Sequence, residues 1–247
     1  METTVTYGAL QPYCERLVSG AEPWNVSSNL VFVLLGLYAV RRLRRSHGGG
    51  AGPPSGSSER DTSPALSRRL TGSASSTTLA ALPFAIGAGS ALYHAYPSHA
   101  TQLADLLPIA LFVALAVALA LERVLKLARR PRFGILLGWT IATLLCARHP
   151  DTLGGSLLYL PTLVVMAALG PLAARLPGAR ADAAPLLVAT AATFTLALVA
   201  RTADQPLCPL PPTGTHPLWH LLAAAAGAFA VTALMPRVGG MSSDPRR

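Results

Sequence analysis

The sequence predicts an all-α protein, a seven-transmembrane helix bundle with its N-terminus outside and its C-terminus in the cytoplasm. Three observations predict it. Of 247 residues, 51% are hydrophobic and only 13% charged, with a mean hydropathy of +0.44. That is too apolar for a soluble domain of this length. The apolar residues gather into seven runs separated by basic or Gly- and Pro-rich stretches, as in a chain that crosses a bilayer about 20 residues at a time. The basic residues, finally, fall unevenly on alternate loops, which is the signature of membrane orientation.

The net charge of +9 does not point to nucleic acid, because the basic residues lie between apolar runs and no nucleic-acid-binding motif accompanies them. No protein partner is implied either. Three cysteines exclude a disulfide-rich scaffold. No cleavable signal peptide is evident, since the first apolar run starts only near Trp24 and no basic region precedes it.

In chain order, an exterior N-terminal segment at 1–23 precedes a membrane domain at 24–236. Pro23 stands where a helix starts, a position at which its missing N–H costs nothing. Span one covers 24–40 and stops at Arg41, Arg42, Arg44 and Arg45. The stretch 46–73, rich in Gly, Ser, Pro and Arg, reads as a disordered cytoplasmic loop. Spans two and three cover 74–96 and 102–121, followed by a basic loop at 123–132. Span four, at 133–147, is the shortest. Spans five and six cover 155–174 and 183–200, span seven runs from His216 to Met235, and 237–247 form a cytoplasmic tail. This layout puts 17 of the 20 Lys and Arg residues on one side, leaving Arg16, Arg148 and Arg201 on the other. The basic side is cytoplasmic.

His216 and His220 lie four residues apart at the head of span seven, so both project from one helix face, at the spacing two imidazoles need to grip one metal ion. Two amphipathic rings at a helix end also suit a lipid interface. A third histidine, His94 at the exterior end of span two, favours the metal, because ionisable groups at one membrane depth are costly and tend to be functional. Three imidazoles leave a fourth coordination position open, as in catalytic zinc sites. The residue after His216 is Pro217, so this is not the His-Glu-x-x-His pattern, and a base must come from another helix. Asp105, near the start of span three, is the candidate base; a helix-end charge or a partner orienting a histidine is its alternative role. Ser90 stands one turn before His94 on the same face, suited to an oxyanion or to close helix packing beside Gly87 and Gly89. Asn25 and Asn29 read as structural.

Taken together, Tyr13-Cys14-Glu15, Glu22-Pro23-Trp24-Asn25, Gly89 to His94, Asp105, Asp204, Cys208 and Gly214 to His220 resemble the alkaline ceramidases, within the wider group of adiponectin and progestin receptor-like membrane proteins. The resemblance implies zinc on His94, His216 and His220, with Ser90 and Asp105 beside the nucleophilic water, and hydrolysis of the amide of ceramide or a related N-acyl lipid to a fatty acid and a sphingoid base or amine. It also implies a calcium site in the N-terminal segment, where Glu15 and Glu22 match two acidic ligands. The aspartate expected at Pro12 is absent, and the segment between the glutamates is short, which argues against calcium. The Ala-rich composition and short loops suggest a bacterial plasma-membrane protein with the site on the exterior side. The receptor branch leaves open a non-catalytic signalling protein with a structural zinc. Cys14 and Cys208, both within the family-like blocks and both exterior in this layout, are expected to bridge, since oxidising compartments favour it; Cys146 is the competing partner.

Overall fold

The computed structural model describes residues 13–48 and 64–235. The first twelve residues of the expected exterior segment, the centre of the expected loop at 46–73, and the tail expected at 237–247 lie outside the described residues. Two short helices, α1 (Cys14–Ser19) and α2 (Pro23–Ser28), lead into α3 (Leu30–Gly48). Then follow α4 (Pro64–Ala95), α5 (His99–Leu119) with a π turn at Ala120–Val124, α6 (Arg129–Cys146), α7 (Leu160–Arg175), α8 (Ala184–Ala203) and α9 (His216–Leu234). The described residues contain no strand.

Helices α3 to α9 correspond to the seven expected spans, with shifted ends. The first is broken at Asn29, so α2 and α3 share it. Helix α4 starts at Pro64, inside the stretch expected to be loop. A reciprocal cap, in which Ser98 Oγ accepts from Thr101 N (3.2 Å) and Ser98 N donates to Thr101 Oγ1 (2.9 Å), starts α5 at His99 rather than near 102. Asp105 therefore sits in its second turn.

Five stretches are long and apolar enough to cross a membrane: Pro23–Ser46, His99–Val124, Leu157–Arg175, Ala181–Ala203 and His216–Leu234. The other two expected spans are helices of weaker apolar character. Helix α4 carries Arg68, Arg69 and a run of Ser and Thr, and α6 opens on Arg129, Arg130 and Arg132.

Adjacent helices pack in sequence, α3 on α4, α4 on α5 and α7 on α8. The α8–α9 and α3–α9 contacts close the bundle. Helix α6 has no buried residue and leans on α7, where Trp139 Nε1 donates to Thr162 Oγ1 (3.0 Å). Leu79, Val117, Val124, Val231 and Met235 fill the core. The outer faces stay apolar, with Leu34, Leu107, Val164, Val199 and Leu221 each more than half exposed. Such a surface suits lipid and not water. Helices α4 and α5 approach closely at Gly89, where a Cβ would lie 2.0 Å from the Ala104 carbonyl oxygen. Only glycine permits that crossing, and the crossing sets Ser90 beside Asp105.

Candidate metal centre

Asp204, just past the end of α8, organises the head of α9. Its Oδ1 accepts from the backbone N–H groups of Thr215 (2.8 Å) and His216 (2.9 Å), and its Oδ2 accepts from Cys14 N (2.8 Å). A carboxylate thus satisfies donors that a helix start leaves without partners. Gly214 has φ +65°, and a Cβ there would meet Asp204 Oδ1 at 2.2 Å, so both the backbone conformation and the space require glycine. Cys14 and Cys208 form a disulfide, and Cys146 is a free cysteine. Together, Asp204 and the bridge fasten the N-terminal segment across the end of the bundle.

Beneath that strap lie His94, His216 and His220, each 1–2% exposed. Their ring centroids are 4.6–5.1 Å apart, and one ligand nitrogen from each falls within 4.8 Å of the others. His94 Nδ1 is bound to the Glu22 carboxylate, and His220 Nδ1 lies 2.7 Å from Ser28 Oγ, which leaves Nε2 as the free nitrogen on both rings. Such partners fix the orientation of metal-ligating imidazoles. His216 Nδ1 is buried with no hydrogen-bond partner, while its ring stacks on Tyr13 at 3.7 Å. Three buried imidazoles, two held by hydrogen bonds at their far side, fit a zinc-type ion.

Glu22 holds a wider network. Its Oε1 accepts from Arg16 Nε at 2.5 Å and its Oε2 from Asn25 Nδ2 at 3.0 Å, while Arg16 Nη2 donates to the His94 carbonyl at 2.7 Å. Burial alone would raise the Glu22 carboxyl, but its hydrogen bonds to His94, Arg16 and Asn25 hold it below the usual carboxylate range. Burial raises the Tyr13 phenol, against the pull of the Arg201 charge.

These contacts do not fit a calcium ion. Both oxygens of Glu15 are taken by the backbone N–H groups of Trp24 (2.7 Å) and Asn25 (2.9 Å), and both oxygens of Glu22 are engaged. The Arg16 guanidinium supplies the positive charge beside them. Glu15 and Glu22 build the strap and support His94. Position 12 lies outside the described residues.

Ser90 faces the Asp105 carboxylate, whose Oδ1 is buried without a partner. Ser90, Asp105, Arg201, His216 and His220 share one cavity, walled otherwise mostly by apolar residues including Phe32, Ile86, Phe112, Met166, Phe194 and Trp219. Asn25 and Asn29 act locally, with Asn29 Nδ2 donating to the Asn25 carbonyl (2.7 Å). His99 and His149 are exposed.

Sequence reasoning missed the partners of the histidines, Glu22 and Ser28, along with the capping role of Asp204, because each contact joins segments far apart in the chain. It counted Arg201 as an exterior loop charge. The signal was present, since Arg201 is a cation at the end of an apolar span.

The bundle and the buried histidines define the class, an integral membrane protein of apolar helices with a candidate three-histidine metal site. The comparison with protein families narrows it: the model described as Ceramidase matches residues 13–238, and the chain belongs to the ceramidase family. Membership supports a metal-dependent membrane hydrolase that acts on the amide of ceramide. No curated protein matches the sequence.

Proposed function

We propose that the protein is a seven-span membrane hydrolase that cleaves ceramide or a related N-acyl lipid at a zinc ion held by His94, His216 and His220. Zinc, when bound, supplies Lewis-acid polarisation of the amide carbonyl and a water-derived nucleophile near neutral pH. Asp105 is the general base. Its partnerless Oδ1 takes the proton of the attacking water, and the protonated carboxyl then returns it to the leaving amine. The Ser90 hydroxyl donates to the Asp105 carboxylate at rest and turns to the oxyanion as Asp105 becomes protonated. Glu22 and Ser28 hold the His94 and His220 rings in their ligating orientation.

The observation that carries this reading is the shared cavity: Ser90, Asp105, His216 and His220 line its polar end, and the remaining wall accommodates an acyl chain that arrives through the lipid. The 17 to 3 division of basic residues supports a cytoplasmic C-terminus, an exterior N-terminus and a site on the exterior side of the membrane; the Ala-rich composition and short loops favour a bacterial plasma membrane. The test is to incubate purified, metal-analysed protein with ceramides and a panel of other N-acyl lipids and measure released fatty acid by mass spectrometry. Release from at least one is expected. Full zinc occupancy with no release from any would support the receptor reading instead.

A further inference from the structure

We propose that Arg201 makes this site select substrates with a negative charge close to the scissile amide, on its amine side, as in an N-acyl amino acid. The inference rests on the amide-hydrolase reading and names the head group that reading leaves open.

Arg201 lies in the last turn of α8. Its Nη1 donates to Tyr13 Oη at 3.0 Å, and its guanidinium carbon stands 5.5 Å from the ring centroids of Tyr13, Tyr159 and Trp219. Three aromatic rings hold the guanidinium without neutralising it. Its Nε is buried with no hydrogen-bond partner, and it forms no ion pair among the described residues; the Asp105 carboxylate of the same cavity acts on it only from beyond ion-pair distance. The nearby Asp204 carboxylate is occupied by its three backbone donors. A buried cation with no paired anion is costly, and a structural salt bridge does not account for it.

Position supplies the ligand. Arg201 lines the catalytic cavity with Ser90, Asp105 and His216, and it also lines a mixed recess formed with Tyr93, Gln102, Leu153 and Gln205, in which the Asp204 carboxylate is spent on its backbone donors and Asp151 is exposed. An acyl chain in the apolar cavity with its carbonyl at the histidines directs the amine fragment past Arg201 into that recess. A short head group ending in carboxylate meets a guanidinium, whose planar fork matches it.

The test compares N-oleoylglycine with N-oleoylethanolamine, which share the acyl chain and differ in charge, on wild type, Arg201→Gln and Arg201→Lys. Wild type is expected to prefer the glycine conjugate at least tenfold in kcat/KM, mainly through KM. Arg201→Gln should lower that preference at least tenfold, and Arg201→Lys should retain part of it. Equal efficiency on both substrates in wild type overturns the inference while leaving the hydrolase reading intact. So does an equal loss on both in Arg201→Gln, or a change confined to inhibition by oleate, which would place the charge on the fatty-acid product. Binding of the ketone analogue of N-oleoylglycine, with CH₂ replacing the amide N–H, is measured by calorimetry against its neutral counterpart. Arg201-dependent preference in binding without turnover upholds the anion site and refutes the hydrolase reading; no preference in binding overturns the anion site.

Discussion

Replacing Asp204 by Ala should damage both stability and metal retention, because one side chain caps α9 and anchors the N-terminal strap. Asp204 is 2% exposed, and its loss leaves the N–H groups of Cys14, Thr215 and His216 without acceptors. A buried donor without a partner costs about 1–3 kcal/mol. With partial relaxation, we expect a total of roughly 3–6 kcal/mol. At about 2–4 °C per kcal/mol for a domain of this size, the melting temperature in detergent should fall by 6 °C at the least. Asp204→Asn keeps one acceptor and should fall between. His216 N is one of the three donors, so zinc content should drop with stability although no proposed ligand has been changed. Thermal unfolding and metal analysis on the same preparations check this. An Ala variant that loses less than about 1 kcal/mol, below the cost of even one orphaned donor, and keeps full zinc would refute the reasoning.

Asp105→Asn should retain zinc while turnover falls about 10²- to 10⁴-fold, the usual contribution of a general base; unchanged turnover on an accepted substrate would reduce Asp105 to a structural role. Gly89→Ala should force α4 and α5 apart, since the new Cβ meets a backbone oxygen, at about 1–3 kcal/mol, and should lower activity by separating Ser90 from Asp105; wild-type stability by thermal unfolding would contradict the close approach. Replacing both Cys14 and Cys208 by Ser should cost roughly 2–4 kcal/mol. Recovery of both native cysteines as alkylated free thiols, by mass spectrometry of protein alkylated before lysis, would refute the bridge.

The sequence was most informative where chemistry repeats at short range. The i, i+4 spacing of His216 and His220 and the one-turn separation of Ser90 from His94 needed only helical geometry. Element ends were less legible. The start of α5 depends on the Ser98–Thr101 cap, whose polar residues read as loop, and α4 reaches back to Pro64 through a stretch of Ser, Thr and Arg that composition assigns to disorder. The apolar runs within α4 and α6 read as spans by eye, but their Arg, Ser and Thr residues dilute the apolar character of the whole helices. Least legible were contacts between distant segments. That Glu22 meets His94, that Ser28 meets His220 and that Asp204 meets Cys14 follows from how the strap lies over the bundle, which no local pattern encodes. Arg201 was misread for a different reason: a charge count treats every cation alike and does not separate one at a loop from one turned into a cavity.

The central claim is amide hydrolysis that depends on a metal held by three histidines. Fatty-acid release is therefore best followed with zinc content on one preparation, as purified, after chelation, and after stoichiometric zinc is restored. The account predicts one zinc per chain, loss of turnover in proportion to metal removed, and recovery on its return. Full turnover by metal-free protein would contradict it.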